Sequence, residues 1–202
     1  MNPAISRRKA LKGTTAALVT VAVGASTSVA AAQDVSWTAT SAFGVQWEMT
    51  SRIVSRLPVS ARYGLPIPVG QVIVGATCPG YFIEQVRQMT DMVAVGGSGE
   101  CTITIVDARG LTAHATVGLN FPPTPFPDTE IDFTITGTAA IIRPLPLPLP
   151  RNRGPMRISL DPEALMTMSG WAADGSVWGE GIQVSLAMNN GQDPLLVTMD
   201  IR

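Results

Sequence analysis

Apolar and polar residues alternate in short runs along most of this chain. Val45, Trp47 and Met49 alternate with Gln46, Glu48 and Thr50, the period-two pattern of a strand with one buried face. Ile103 and Ile105 alternate with Thr102 and Thr104. Leu111, Ala113, Ala115 and Val117 alternate with Thr112, His114 and Thr116, and Ile131, Phe133 and Ile135 with Asp132, Thr134 and Thr136. Val69–Thr77, Met156–Leu160, Leu165–Ala173, Ser176–Met188 and Leu195–Ile201 read as further strands. The 19 glycines and 16 prolines interrupt these runs so often that the pattern predicts an all-β domain of short strands. One segment departs from it. Phe82, Val86, Met89 and Val93 recur at helical spacing after Pro79-Gly80, which predicts one short helix over Tyr81–Gln88.

The connections are equally specific. Asp174-Gly175 between two apolar runs predicts a two-residue hairpin turn, with Ala173 opposite Ser176 and Trp171 opposite Trp178. Facing inward, that tryptophan pair is core; facing outward, it is a platform on which a sugar ring stacks, and the sequence leaves both open. Gly96-Gly97-Ser98-Gly99 reads as a flexible turn, without the following helix and lysine of a phosphate loop. Pro144-Leu145-Pro146-Leu147-Pro148-Leu149-Pro150 excludes a helix or central strand, because each proline fixes φ and removes a donor. A polyproline II crossover is expected there.

The N-terminus has a different character. Ser6-Arg7-Arg8-Lys9-Ala10-Leu11-Lys12 precedes an apolar run from Ala16 to Ala25 and the small-residue stretch Ala30-Ala31-Ala32. Charged region, apolar region and A-x-A site in that order predict an export signal. The pair Arg7-Arg8 points to twin-arginine translocation, with cleavage after Ala32. The expected organisation is a signal over 1–32 and one domain over 33–202, placed outside the cell or on its wall. An uncleaved anchor is the alternative, but the apolar run is short of the ~20 residues of a bilayer span, and no later stretch reaches that length.

Removing the signal leaves 10 arginines, no lysine and 15 carboxylates, a formal charge of −5. Such a chain is a poor nucleic-acid binder, because affinity for phosphate backbones comes from clustered cations. Arg143, Arg151, Arg153 and Arg157 form the local exception, read here as a solvated loop face.

Export also bears on Cys78 and Cys101, the two cysteines. In an oxidising compartment a disulfide is expected, closing a loop of about 24 residues for roughly 3 kcal/mol. One histidine and two cysteines fall short of a zinc set. His114 is the single histidine; alternation puts it on a polar face, and no G-x-S-x-G elbow accompanies it. Asp128, Glu130 and Asp132 fall on one strand face at the spacing of oxygen ligands for Ca²⁺, against which stands a solvated acidic face. No carboxylate pair is singled out for glycoside hydrolysis. No catalytic residue, cofactor or metal is assigned.

The C-terminal run adds a likeness. Ala173-Asp174-Gly175-Ser176, then Asn190-Gly191-Gln192-Asp193-Pro194-Leu195-Leu196 and Thr198-Met199-Asp200-Ile201, resemble the end of an uncharacterised domain family, a domain of unknown function, of secreted actinobacterial proteins. The likeness extends more loosely through Phe133–Ala140 towards Gly70. It implies an immunoglobulin-like antiparallel β-sandwich outside the membrane and implies no activity. Family members place their cysteines elsewhere, so a Cys78–Cys101 bridge would be a different staple.

The expected function is an exported cell-envelope or extracellular structural or binding module, not an enzyme. Its partner would be cell-wall polysaccharide or another envelope protein, met by a surface including Trp171 and Trp178. Two rivals remain: a carboxylate-dependent hydrolase of wall polysaccharide, and an oligomeric envelope pore of β-hairpins, which needs strands of about 9–11 residues with a lipid-facing side.

Overall fold

The computed structural model describes residues 28–67, 72–143 and 150–202. Arg7 and Arg8 lie outside them, as does the proline-rich run apart from Pro150. The described chain forms β1 (Ser28–Ser41), β2 (Gln46–Pro58), β3 (Ser60–Ala61), β4 (Val72–Cys78), α1 (Gly80–Met89), β5 (Met92–Val106), β6 (Thr112–Pro125), β7 (Phe133–Arg143), β8 (Gly154–Ala172), β9 (Val177–Met188) and β10 (Leu195–Ile201). The all-β expectation and the lone helix are both present. Several strands are far longer than the alternation suggested.

Strand order is β3-β10-β8-β5-β6-β7-β4-β2-β1-β9, and β9 also pairs with β8. That last pairing closes eight strands, β8-β5-β6-β7-β4-β2-β1-β9, into an antiparallel barrel. The expected sandwich is therefore corrected. A sandwich keeps two sheets with open edges, whereas here β9 bonds β1 on one side and β8 on the other, leaving no edge between them. The 19-residue β8 makes this closure feasible. Its first half pairs with β10 and its second half with β9. The switch falls at Asp161-Pro162-Glu163, where the pairing with β5 also slips; proline lacks the N–H a continuous ladder needs and is tolerated at such a bulge.

Alternation decides what faces in. Val35, Trp37 and Ala39 of β1, Met49 of β2, Ile135 of β7, Met166 of β8 and Leu186 of β9 are buried in one core. The intervening positions of β1 and β2, Asp34, Ser36, Thr38, Glu48, Thr50 and Arg52, are polar and more exposed. An apolar interior with a polar exterior is the reverse of a lipid-embedded barrel. Ser51 is a buried exception, and its Oγ accepts a hydrogen bond from Trp37 Nε1 at 2.8 Å.

Gly96-Gly97-Ser98-Gly99 is not a turn but the middle of β5. A Cβ on Gly97 would sit 2.3 Å from the Thr167 carbonyl oxygen, and one on Gly99 2.9 Å from that of Leu165. Glycine is needed there because β8 crosses too closely for any side chain.

The Gly-Gln-Asp motif also acquires a physical role. Beyond Met188, β9 leaves β1, and the loop to β10 takes over its edge. Asn189 N–H donates to the Ser36 carbonyl at 3.0 Å. The Gln192 amide accepts from Ser36 N–H and donates to Ser36 O, both at 2.8 Å. Gly191 supplies a positive φ of 83° and Asp193 Oδ1 caps Leu195 N–H at 2.9 Å, so the side chain of Gln192 adds one rung to the sheet.

β1 begins at Ser28, and its first five residues pair with Val54–Pro58 of β2. Cleavage after Ala32 would thus fall within the strand. It would leave a nine-residue β1 that keeps all its pairing with β9.

Candidate functional site

One barrel end is closed by α1. The helix follows β4 directly, after Pro79, whose fixed φ of −62° suits a helix start. Its first N–H, from Gly80, donates to Asp132 Oδ1 at 3.2 Å, placing a carboxylate against the positive end of the helix dipole. A Cβ on Gly80 would lie 2.8 Å from Ile131 backbone, so the two segments meet closely. Ile83 is buried against the barrel, and Phe82 stacks flat on Trp47 of β2 with centroids 4.3 Å apart and planes 12° off parallel.

Beneath and beside the helix lies a cavity of about 380 Å³, within the range of small-molecule sites. Its lining is aromatic, aliphatic and thioether: Trp47, Phe82, Val86, Met92, Phe126, Phe133, Met168 and Ile182 among others. Phe126 and Phe133 meet edge to face at 5.3 Å. At the rim Phe43 is 78% exposed, Met89 68% and Trp178 45%, so the cavity opens to solvent through apolar side chains. A second cavity of about 120 Å³ lies deeper in the barrel. Successive inward positions step from one to the other, Ala76 to Cys78 on β4, Met166 to Met168 on β8 and Leu186 to Val184 on β9, so the two are stacked along the barrel axis. An eight-stranded barrel has room for packed side chains or one small ligand.

The predicted tryptophan pair does not form. Ala172 and Ser176 close a three-residue loop with Gly175 at φ 81°, one residue longer than the expected turn. Trp171 therefore opposes Val177, since a one-residue slip exchanges faces. Trp178 joins the cavity rim and Trp171 does not.

The predicted disulfide is absent: Cys78 and Cys101 are free thiols. They sit on β4 and β5, which β6 and β7 separate. Three steps of about 4.8 Å round the wall exceed the reach of a disulfide. Burial pushes both thiols up to about 11, opposed at Cys78 by the Trp47 N–H and reinforced at Cys101 by the Asp161 charge. Neither has the thiolate character of a nucleophile.

The other candidates are dispersed. His114 is exposed on the outer face, its Nδ1 3.0 Å from Thr104 Oγ1, whose own proton goes to Asp161. Asp128, Glu130 and Asp132 belong to the β6–β7 loop rather than a strand, and among the described residues no group of His, Cys, Asp and Glu is placed to hold a metal. Arg153 lies over the Tyr63 ring at 5.9 Å. A shallow polar groove on the outer wall contains Glu100 and Glu163, diagonal neighbours across β5 and β8.

No family model, curated protein or solved structure matches this chain. Sequence reading missed the cavity, because Trp47, Phe82 and Met168 each read as ordinary core. The signal was present in Phe82 and Val86 on a short isolated helix, whose apolar side needs a partner that an all-β pattern leaves unspecified.

Proposed function

We propose that this protein is an exported binding module of the cell envelope or extracellular space, and that it holds a small apolar molecule in the helix-covered mouth of its barrel. The observation that carries this reading is the 380 Å³ cavity, lined by apolar side chains and open through Phe43, Met89 and Trp178. In a packed protein interior, voids larger than a water molecule are few, and an apolar cavity this size favours an apolar occupant over water. The export signal over 1–32 supports the location, and the likeness to secreted actinobacterial domains of unknown function is in keeping with it.

The test is titration of the purified protein with Nile red. Fluorescence should rise, shift to the blue and saturate at one dye per chain. Ile182→Trp, which fills the cavity, should weaken binding at least tenfold. Binding that this variant leaves unchanged, or no binding, refutes the reading.

The hydrolase reading rests on Glu100 and Glu163 in the outer groove. It predicts release of reducing sugar from wall polysaccharide, abolished by Glu163→Gln. Wall binding through Trp178 predicts co-sedimentation with insoluble wall material that Trp178→Ala weakens.

A further inference from the structure

Resting on that reading of the mouth, we propose that Trp47 is its specificity-determining donor: the buried indole N–H donates to an uncharged oxygen, a ketone, ester or amide carbonyl, on the apolar molecule held there. Trp47 Nε1 is buried with no oxygen acceptor, and the one group it acts on is the Cys78 thiol, too poorly placed for a well-formed hydrogen bond. Unpartnered buried donors are rare in folded proteins, and each calls for a reason. The contrast is internal, since the indole of Trp37, also in the barrel, is satisfied by Ser51 at 2.8 Å.

The surroundings of Trp47 show what is lacking. Phe82 covers the ring face, and the thiol of Cys78, the group its N–H influences, is a weak acceptor. Two of the three hydroxyl side chains on the lining, Ser41 and Thr90, are already engaged, and Ser169 is the third. Thr90 Oγ1 donates to the Val86 carbonyl at 2.7 Å, and Ser41 Oγ accepts from Val45 N–H at 3.2 Å. A ligand oxygen reaching Trp47 would complete the site.

Charge decides which kind of oxygen. Asp91, Asp128, Glu130, Asp132 and Asp174 stand on the connections at this end of the barrel, with Glu180 near the start of β9. Among the described residues Arg87 is the arginine of this end, and it lies 4.0 Å from Glu84 on the same helix. A fatty-acid carboxylate would meet a negative rim and then an apolar lining with no cation to pair with, an unfavourable transfer for any charge. A neutral carbonyl meets neither obstacle.

The experiment is displacement of Nile red from the full protein by 2-octanone, octane and octanoate, repeated on Trp47→Phe. Phenylalanine retains an aromatic ring to stack on Phe82 and removes the donor. One neutral hydrogen bond corresponds to about a tenfold change in affinity. Trp47→Phe should therefore weaken 2-octanone about tenfold and octane by less than twofold, and octanoate should bind the wild type at least ten times more weakly than 2-octanone. Equal losses for ketone and alkane, no loss for either, or octanoate binding as well as the ketone would each overturn the proposal while leaving an apolar site in place. Failure of the dye itself to bind refutes the mouth as a binding site, and the proposal with it. Should Trp47→Phe not fold, the wild-type ¹H–¹⁵N spectrum decides. The indole cross-peak with contacts to the Phe82 ring must move downfield with 2-octanone and stay with octane; a peak that both ligands leave in place contradicts the assignment.

Discussion

Replacing Gln192 by leucine isolates the rung that this side chain adds to the barrel. Its amide holds both the N–H and the carbonyl of Ser36 at 2.8 Å. In Gln192→Leu the N–H of Ser36 loses its partner at a part-buried position, which costs about 1–1.5 kcal/mol, the lower half of the range for an orphaned buried donor. The carbonyl keeps Asn189 N–H at 3.0 Å, so losing its second bond costs about 0.5–1 kcal/mol more. The sum is about 2 kcal/mol. For a domain of this length that lowers the melting temperature by roughly 4–8 °C. Urea unfolding followed by circular dichroism measures it, with an unchanged m-value showing that the same surface is exposed. Gln192→Glu sharpens the test. It retains the acceptor but sets a carboxylate against the Ser36 carbonyl, so it should be destabilising at neutral pH and recover as the pH falls and the carboxyl becomes a donor. A Gln192→Leu variant within 0.5 kcal/mol of wild type would show that this rung carries no stability.

Further outcomes follow from the packing. Gly97→Ala, whose Cβ would approach the Thr167 carbonyl to 2.3 Å, should cost more than about 3 kcal/mol or prevent folding, while Gly75→Ala, with Thr134 Cγ2 at 3.6 Å as its nearest neighbour, should stay within about 1 kcal/mol. Intact mass should be the same with and without reductant, and N-ethylmaleimide should add twice in denaturant but not to the native protein at neutral pH. Because burial raises both thiols from 9.0 to about 11, the unfolded chain ionises first; their contribution to stability is complete below pH 9 and is lost as the pH rises from 9 to 11, and Cys78→Ala with Cys101→Ala should flatten that decline. The proposed export predicts a mature protein that begins at Gln33 by N-terminal mass analysis; a start at or before Ser28 would place cleavage upstream of β1, and an intact Met1 would refute cleavage.

Much of the architecture is legible in the sequence, and the exceptions have identifiable causes. Period-two alternation located β2, β5, β6 and β7, and helical spacing located α1 to within a residue at each end. Closure was not legible, because β9 joins β8 through the hairpin that Asp174-Gly175 marks but must also pair with β1 at the far end of the chain, and long-range partners leave no local mark. The first strand carries the same mark, Val35, Trp37 and Ala39 alternating with Ser36 and Thr38, yet was not among the expected strands; its first five residues, Ser28–Ala32, lie in the segment read as an export signal. The glycines of β5 read as a turn because glycine is the commonest turn residue; here it relieves a crowded crossing instead. The tryptophan pair failed by one residue of loop length, enough to send Trp178 to the cavity rim without Trp171. The candidate site itself is assembled from α1 and several strands, and only the fold places Trp47, Phe82 and Met168 around one space.

The most direct test of a ligand-holding mouth uses the methionines as internal reporters. Met89, Met92 and Met168 line the mouth, whereas Met156 and Met199 are buried elsewhere in the core. In a ¹³C-methyl-methionine spectrum of the protein, saturating 2-octanone should shift the first three resonances and leave the last two in place. Shifts spread evenly over all five, or none at all, would contradict a ligand site in the barrel mouth.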